Sequence, residues 1–420
     1  MFLLSACSKS DSPESPADEN SPDEQNMPEE ETTADEVYLT INVNQTYHTD
    51  QTDNWIIIHN ATGMLLDYRA FETGDSMEFK AKPEDITSNL TVTQLTVMAG
   101  DQTTTHSFES KTQVPKGTTL DYGTNSPPIS PEPHVQLDDF HMTITNIPNP
   151  KKMLLSNKFG NLGGLGSGTG NGGLWTFERD VTHLEGADEY IIFIIDAFDN
   201  YEYYYLNNPD GADITLDYAT DFEVYDQSIE ITLPPHNSYL LQTAGFYEAD
   251  EIGQVDGLWM EDLLSFVDGQ VSTDPLKIVY SDRFDKFRTY FNISMDGYTY
   301  LKNSFGPAFT DLEIPEKPAF AILDSSLEQF RFETPLTYQV ADWQFYISQG
   351  SGSTGDYRFT RWIVEANSRY EPVLGPVPQA ITDMYPLMDL DGMKFKQIDL
   401  YLQKGEELFT STELITILAN

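Results

Sequence analysis

Short segments with the pattern of β-strands recur along the chain from residue 37 onward. Val37–Val43 alternates apolar and polar residues, which is the period of a half-buried strand, and Trp55–Ile58 is a short apolar run. The turn Asn60–Gly63 leads into another strand-like segment, Met64–Phe71. Strands that recur about every 8–12 residues between Gly, Asn and Asp turns are typical of antiparallel sandwiches. The sequence therefore predicts an all-β fold of tandem antiparallel β-sandwich domains of the Ig-like type.

A proline-rich segment separates two groups of these strands. Residues 125–134 contain four prolines in ten residues, and closely spaced prolines hold the backbone extended and donate no hydrogen bonds to a sheet. We predict a β-sandwich over 37–124, a linker over 125–134, a second β-sandwich over 135–249 and a β-rich domain over 250–420. In the last of these, Leu258–Val267 (LWMEDLLSFV) has apolar residues at near-helical spacing, which predicts a short helix.

The charge of the chain is strongly negative. It has 68 Asp and Glu against 23 Lys and Arg, for a formal net charge of -45. Such a surface repels phosphate backbones, so no nucleic-acid partner is expected, and divalent cations or neutral ligands such as sugars fit it better. Residues 8–36 alone hold eleven acidic residues and one lysine with almost nothing to bury, which predicts a disordered acidic tether.

The chain contains a single cysteine, Cys7, which excludes an intramolecular disulfide and any metal site built on several thiolates. The stretch Leu4-Ser5-Ala6-Cys7 resembles the lipobox of bacterial lipoproteins. That resemblance implies cleavage before Cys7 and acylation of this residue, so that acyl chains hold the protein on a membrane. A signal peptide normally has a basic start and about 7–15 apolar residues. Here only six residues precede Cys7, and none of them is Lys or Arg. Residues 1–7 are therefore interpreted as a truncated lipoprotein signal that ends in the lipidation site.

The residues after Cys7 bear on location. Cys7-Ser8-Lys9-Ser10-Asp11 resembles the export signal of Bacteroidota surface lipoproteins, in which a lysine and acidic residues follow the cysteine. This resemblance implies an outer-membrane protein that faces the extracellular side. No apolar run of the chain reaches about 18 residues, so the sequence predicts contact with the membrane through the lipid anchor only.

The chain has no sequence signature of a catalytic site. It contains neither G-x-S-x-G nor H-E-x-x-H, and no cysteine of the folded part could act as a nucleophile. Gly160–Gly173 includes a G-x-G-x-x-G pattern, but strand-like Leu174–Phe177 follows it where a dinucleotide site needs a helix. We interpret this glycine-rich stretch as an exposed loop. No catalytic residue is nominated, and the protein is expected not to be an enzyme.

A row of tyrosines is the best candidate for ligand binding. In Asn200-Tyr-Glu-Tyr-Tyr-Tyr-Leu206, alternation along a strand places Tyr201, Tyr203 and Tyr205 on one face, about 6.8 Å apart. Such a row can stack on sugar rings while its hydroxyl groups bond to sugar hydroxyls. The alternative is that the same face packs in the core of a sandwich.

Calcium is the metal that the ligands in the sequence suit best. Asp389 and Asp391 have the opening spacing of a calcium loop, and Asp196 with Asp199 offers a second, weaker cluster. Neither follows the full twelve-residue pattern, so solvated turn residues are the alternative. The chain is thus expected to need no cofactor, with Ca²⁺ as a candidate ligand.

These features favour a non-catalytic binding module on the cell surface, with a glycan or a surface protein as the partner. The first alternative is a structural protein, such as an adhesin or an accessory subunit of an outer-membrane complex. The second is a glycoside hydrolase, because some pair among 68 acidic residues will lie at a catalytic separation by chance.

Overall fold

The structure is a computed structural model that describes residues 35–419 except 48–50, 84, 87, 101–102, 124–134, 166, 210–212, 250–254, 267–274, 351–356, 368–369 and 406–410. Cys7, the tether up to residue 34 and the predicted linker at 125–134 therefore lie outside the described residues. Within them, the chain forms 28 strands and two short helices. This confirms the all-β fold class and a multi-sandwich architecture.

The strands of the N-terminal part are β1 (Glu36–Val43), β2 (Asp53–Asn60), β3 (Leu65–Ala70), β4 (Ser76–Ala81), β5 (Leu90–Ala99), β6 (Thr103–Val114) and β7 (Thr118–Tyr122). The central part contains β8 (Phe140–Pro148), β9 (Lys152–Asn157), β10 (Gly160–Asn161), β11 (Ser167–Asn171), β12 (Leu174–Val181), β13 (Glu189–Ile195), β14 (Tyr201–Asn207), β15 (Asp213–Asp217), helix α1 (Tyr218–Asp221), β16 (Glu223–Val224) and β17 (Gln227–Ile231). The remaining elements are β18 (Ser238–Ala249), β19 (Val255–Phe266), β20 (Leu276–Tyr280), β21 (Lys286–Met295), β22 (Tyr298–Gly306), β23 (Ala321–Asp324), β24 (Arg331–Glu333), β25 (Val340–Gln349), β26 (Tyr357–Asn367), helix α2 (Gln379–Met384), β27 (Lys394–Gln403) and β28 (Thr412–Leu418).

A twelve-stranded sheet joins the N-terminal and C-terminal parts of the chain. Its strand order is β19-β18-β21-β22-β28-β27-β25-β26-β6-β5-β2-β3. The two parts meet where β6 pairs in parallel with β26, from Thr103 opposite Tyr357 to Lys111 opposite Glu365. The other pairs within this sheet are antiparallel.

Within the described residues, five smaller sheets accompany it, of which two are the two-stranded pairs β17-β20 and β23-β24. A three-stranded sheet, β4-β1-β7, packs on the N-terminal end of the twelve-stranded sheet through a core that includes Ile41 and Phe79 from the small sheet and Ile58 and Val92 from the large one. A five-stranded sheet, β10-β9-β13-β14-β16, and a four-stranded sheet, β11-β12-β8-β15, form the central sandwich. Alternation along these strands sends successive side chains into different cores, because neighbouring residues of a strand face opposite sides of the sheet.

Strand β13 shows this division most clearly. Ile191, Phe193 and Ile195 belong to the largest core, which also contains side chains of the twelve-stranded sheet. Ile192 and Ile194 belong to the core of the central sandwich. The five-stranded sheet is therefore a middle layer, and the continuous apolar sequence of β13 follows from burial on both faces. The sequence of Tyr190–Ile195 is fully apolar, as is typical of a central strand covered on both faces.

The helix predicted over Leu258–Val267 is wrong, because the described part of this segment belongs to strand β19. Its backbone pairs with β18 from Val255 opposite Ala249 to Phe266 opposite Ser238. A long antiparallel pairing with β18 supplies hydrogen-bond partners along one side of the strand, and this tertiary context outweighs a helix-like spacing of apolar residues. The short helix of the C-terminal part is α2, at Gln379–Met384.

The glycine-rich segment, which we interpreted as a loop, contributes a strand instead. Strand β11 pairs with β12, so that Gly168 lies opposite Phe177 and Gly170 opposite Trp175. The Trp175 and Phe177 rings stack with their centroids 5.9 Å apart, and a Cβ atom at either glycine would collide with the ring opposite it. The glycines here make room for aromatic rings that lie across the neighbouring strand.

Replacement of Gly168 by alanine is expected to lower the free energy of unfolding by roughly 1–2 kcal/mol, since the added methyl group overpacks the site. The Phe177 ring is only partly able to move aside, because it is buried in the core of the central sandwich. Chemical denaturation of the two proteins measures the difference. Gly164→Ala is the matched control: its Cβ would have Met153 O as the nearest atom, at 3.7 Å. Equal stabilities for the two variants would contradict the packing argument.

Candidate functional site

The three tyrosines Tyr201, Tyr203 and Tyr205 lie on β14 and face the same side of the middle layer, as their alternation predicts. All three pack against the largest core, whereas Tyr204 and Leu206 of the same strand pack in the central sandwich. The structure gives the three rings different environments, and Tyr201 borders a cavity.

Tyr203 and Tyr205 are covered by neighbouring side chains. Tyr203 is 3% exposed, and its ring lies 4.6 Å from the ring of Tyr225. The guanidinium of Arg283 lies 4.1 Å from the centre of the Tyr205 ring, a cation–π contact. These two tyrosines thus take the packing role that the sequence left open as the alternative.

Tyr201 borders a polar cavity of about 310 Å³ at the edge of the middle layer. This volume lies at the lower end of the range of about 300–1,000 Å³ for small-molecule sites. The residues that line it come from three separate stretches of the chain: Asp199, Tyr201, Glu230, Leu233, Tyr239, Pro275, Leu276 and Lys277. We refer to it as the Tyr201 cavity.

The turn between β13 and β14 places Asp199 and Tyr201 at the cavity. Asp196 closes this turn, because its Oδ1 accepts hydrogen bonds from the backbone N–H groups of Phe198 at 2.8 Å and Asn200 at 2.9 Å. Asp199 has a φ of 61°, a left-handed conformation that short polar side chains tolerate better than most. The carboxylate of Asp196 is thus committed to the turn, and the side chain of Asp199 extends beside Tyr201.

The opposite wall of the cavity is the two-stranded sheet of β17 and β20. Glu230 lies directly opposite Lys277, and Ile231 lies opposite Leu276. Leu276 is buried, which anchors this wall in the core and leaves Glu230 and Lys277 at the cavity. Because side chains alternate along β17 and β20, this small sheet has one apolar face that packs in the core and one polar face at the cavity.

Tyr239, at the start of β18, supplies the second aromatic ring. The His236 ring packs edge-on against it, with the ring centroids 5.6 Å apart. His236 Nδ1 lies 2.9 Å from the carbonyl oxygen of Pro234, which can only accept, so Nδ1 carries the proton. These contacts restrict the position of Tyr239, because His236 is itself buried.

Charges of both signs surround the cavity. The ammonium of Lys277 lies 5.5 Å from the centre of the Tyr201 ring, within the range of a cation–π contact. The ammonium of Lys151 is 2.6 Å from Asp199 Oδ1. Carboxylates accept hydrogen bonds and ammonium groups donate them, so the cavity offers both partners that a hydroxyl-rich ligand needs.

The carboxyl groups most perturbed by burial lie elsewhere. Burial raises the pKa of Glu202 and Asp399, and it raises that of Asp342 to about 6. None of the three lines the Tyr201 cavity. A glycosidase needs an acid that holds its proton near neutral pH, and apolar surroundings normally provide for that. The three carboxyl groups whose pKa burial raises are therefore not part of the candidate binding site.

The calcium candidates serve as turn residues in the structure. Asp389 accepts hydrogen bonds from the backbone N–H of Gly392 at 2.9 Å and from the side-chain amide of Gln349 at 2.7 Å. Asp391 is exposed in the turn before β27. Among the described residues, no group of three or more His, Cys, Asp or Glu side chains is arranged to hold a metal ion. Ca²⁺ binding by these residues stays a sequence-based prediction.

The sequence did not point to Glu230, Tyr239 or Lys277. Each stands in an ordinary strand pattern, and the register of β17 against β20 brings together Glu230 and Lys277, which are 47 positions apart in the chain. Among the features of the ligand-binding candidate, the sequence pattern indicated the alternation of the tyrosines in β14. The distance along the sequence between the walls of the cavity explains why the rest of the site was missed.

No family model matches the chain, and a search of curated proteins finds no match. Among solved structures, the chain is similar to the native conformation of E. coli alpha-2-macroglobulin, determined by cryo-EM, with 9% identity over 88% of this chain and 27% of that chain and a TM-score of 0.13. The chain thus spans about a quarter of the length of that protein. A likeness at this score carries no argument about function. Within the part of the chain that the structure describes, no helix has the length and apolarity to cross a membrane.

Proposed function

We propose that the protein is a lipid-anchored surface protein of the outer membrane whose folded part binds a glycan in the Tyr201 cavity. The observation that carries the binding proposal is the combination of two tyrosine rings with two carboxylates and an ammonium group around about 310 Å³. Aromatic faces stack on the apolar faces of sugar rings, and charged groups bond to sugar hydroxyls.

The volume and charge of the cavity define the kind of ligand. About 310 Å³ suits a small unit, such as the end or a short stretch of a glycan chain, better than a folded partner. Around the cavity Asp199 pairs with Lys151 and Glu230 lies opposite Lys277, so the local charges balance, while the net charge of -45 of the whole chain disfavours acidic sugars. We therefore expect a neutral glycan, and binding without hydrolysis.

The proposal for location rests on the sequence pattern at the N-terminus. The lipobox resemblance at Cys7 and the acidic segment 8–36 support a body held away from the membrane by a tether. Mass spectrometry of the mature N-terminus from native cells tests the anchor, and protease treatment of intact cells tests the outward orientation. An unmodified Met1 would refute the anchor.

For the glycan, Tyr201→Ala is expected to weaken binding by about tenfold or more, because loss of a stacking ring removes about 1.5–3 kcal/mol of apolar contact. A neutral glycan that the purified protein binds on a glycan array is then titrated calorimetrically against each variant. Tyr201→Phe keeps the ring and should retain most of the affinity.

Two matched variants serve as controls for this prediction. Tyr357→Ala removes a tyrosine from β26, outside the cavity, and should bind like the unmodified protein. Glu223→Gln removes a charge from an exposed position of β16. It is the control for Glu230→Gln, which removes a charge at the cavity. Unchanged affinity in both Tyr201→Ala and Glu230→Gln would contradict this site. Self-association with no glycan bound would favour the structural alternative.

A further inference from the structure

A second and larger cavity lies at the other end of the largest core, between the segment 317–325 and the paired ends of β27 and β28. Its volume is about 680 Å³, well within the range for small-molecule sites. None of its lining residues belongs to the Tyr201 cavity. We refer to it as the Lys317 cavity.

The inner wall of this cavity is apolar and fixed. Phe395 of β27 and Ile417 of β28 are both buried and belong to the largest core. The Phe395 ring stacks on that of Phe330 with the centroids 4.6 Å apart. The outer wall carries Phe320, whose ring stacks on Phe332 at 5.4 Å. Apolar surface held open by such packing favours the apolar part of a ligand.

Two lysines, Lys317 and Lys394, supply the only charged side chains among the lining residues. The Lys317 ammonium donates a hydrogen bond of 3.4 Å to the backbone carbonyl of Asp296, which is a neutral partner. Among the described residues, neither lysine forms an ion pair with a carboxylate. In a chain with 68 acidic and 23 basic residues, two lysines without such a partner at one cavity are a distinctive arrangement.

The nearest acidic residue of the outer wall is engaged elsewhere. Asp324 Oδ1 accepts hydrogen bonds from the backbone N–H of Ser326 at 2.9 Å and from its hydroxyl at 2.7 Å. These bonds lower the pKa of Asp324, so it stays ionised, and they hold its carboxylate in its own turn. Asp324 is not among the residues that line the cavity, so the charge presented to a ligand there is positive.

We propose that the Lys317 cavity binds an organic anion with an apolar body, such as a carboxylate on an aliphatic or aromatic group. The rings and Ile417 receive the apolar body, and Lys317 and Lys394 attract the anionic group. The chain carries a net charge of -45, so a cavity whose charged lining residues are both lysines is a favourable place for an anion on this protein. The proposal is independent of the glycan site.

The test uses the full-length protein and two fluorescent probes that share one ring system. 8-Anilinonaphthalene-1-sulfonate carries an anionic group, and N-phenyl-1-naphthylamine lacks it. The sulfonate is expected to bind with one-to-one stoichiometry and about tenfold more tightly than the neutral probe, and a rise from low to high salt should reduce this preference. Equal affinity for the two probes, or no binding of the sulfonate, would overturn the proposal.

Variants locate the site and identify the charges. The double variant Lys317→Gln, Lys394→Gln should lose the preference for the anionic probe while it retains the affinity for the neutral one. The charge-matched control Lys80→Gln, Lys116→Gln changes two lysines on and beside the three-stranded sheet and should bind like the unmodified protein. Ser325→Trp, a change at an exposed lining residue, should block both probes. Sulfonate binding that survives Ser325→Trp would place the probe elsewhere and refute the site.

Displacement experiments then distinguish two classes of anion, those with an aliphatic body and those with an aromatic body. Decanoate and 3-phenylpropionate are both carboxylates, with an aliphatic and an aromatic body respectively. Displacement of the sulfonate probe by either one supports the proposal and assigns the class of ligand. Failure of both to displace the probe would contradict it.

Discussion

Trp362→Ala is expected to lower the free energy of unfolding by about 3–5 kcal/mol, the range for removal of a large buried aromatic side chain. Trp362 lies on β26 and is 4% exposed. Its ring stacks on Phe108 of β6, with the centroids 4.5 Å apart and the planes at 16°. Its Nε1 donates a hydrogen bond of 2.8 Å to Ser110 Oγ, also on β6. The truncation therefore leaves a cavity and removes a buried donor at the junction between the two halves of the twelve-stranded sheet.

Urea denaturation monitored by circular dichroism measures this change. Trp362→Phe is the matched control, because it keeps an aromatic ring against Phe108 and loses the indole donor. It should cost about 1–2 kcal/mol, most of it from the lost hydrogen bond to Ser110. A loss below about 1 kcal/mol for Trp362→Ala would mean that the pairing of β6 with β26 contributes little to stability.

The second large effect is a pH-dependent gain of stability in Asp342→Asn. Burial raises the pKa of Asp342 from its ordinary value of 3.8 to about 6 in the folded protein, and the like charges of Glu365 and Asp399 act in the same direction. The Lys404 ammonium, 3.8 Å from Asp342 Oδ2, lowers this pKa without cancelling the effect of burial. The folded state thus holds the proton of Asp342 to a higher pH than the unfolded state does.

The sign of the effect follows from proton linkage. Between about pH 4 and pH 6 the folded state binds more protons than the unfolded state, so stability falls as the pH rises through this window. Above pH 6 the buried charge of Asp342 lowers the free energy of unfolding by its full amount, about 2–3 kcal/mol, since a tenfold change in proton affinity corresponds to about 1.4 kcal/mol. Asp342→Asn removes this cost, and we expect it to raise the free energy of unfolding by roughly 2 kcal/mol more at pH 8 than at pH 4.

Denaturation curves of the unmodified and variant proteins at the two pH values give this difference directly. Asp391→Asn, at an exposed turn, removes the same formal charge without a buried carboxyl group and serves as the control. A stabilisation by Asp342→Asn of equal size at pH 4 and pH 8 would show that Asp342 does not titrate in this window.

The strands of the protein were predictable from the sequence where their apolar residues alternate or form a short continuous run. The alternating segment at 37–43 became β1, and the apolar run at 190–195 became the doubly covered β13. The segment 258–267 was misread as a helix because its apolar residues do not alternate, and its strand conformation comes from pairing with β18. The sequence also cannot reveal that β6 pairs with β26, since that contact joins residues about 250 positions apart.

The candidate site was predictable only in part, for a related reason. The alternation in β14 correctly placed three tyrosines on one face, but it could not tell which ring stays accessible. Arg283 covers Tyr205 and Tyr225 packs against Tyr203, and both partners come from later segments of the chain. The cavity beside Tyr201 also depends on the register of two distant strands, β17 and β20.

The parallel pairing of β6 with β26 also sets an order of events during synthesis. Strand β6 is complete at residue 114, but its partner begins only at residue 357, so more than 240 further residues must be made before the sheet can close. Until then β6 has an unpaired edge, and such edges invite aggregation. Its sequence, TTTHSFESKTQV, is mostly polar and includes Glu109 and Lys111, which makes this temporary edge a poor template for other chains. The polar character of this interior strand of the final sheet thus protects the chain until its C-terminal half has been made.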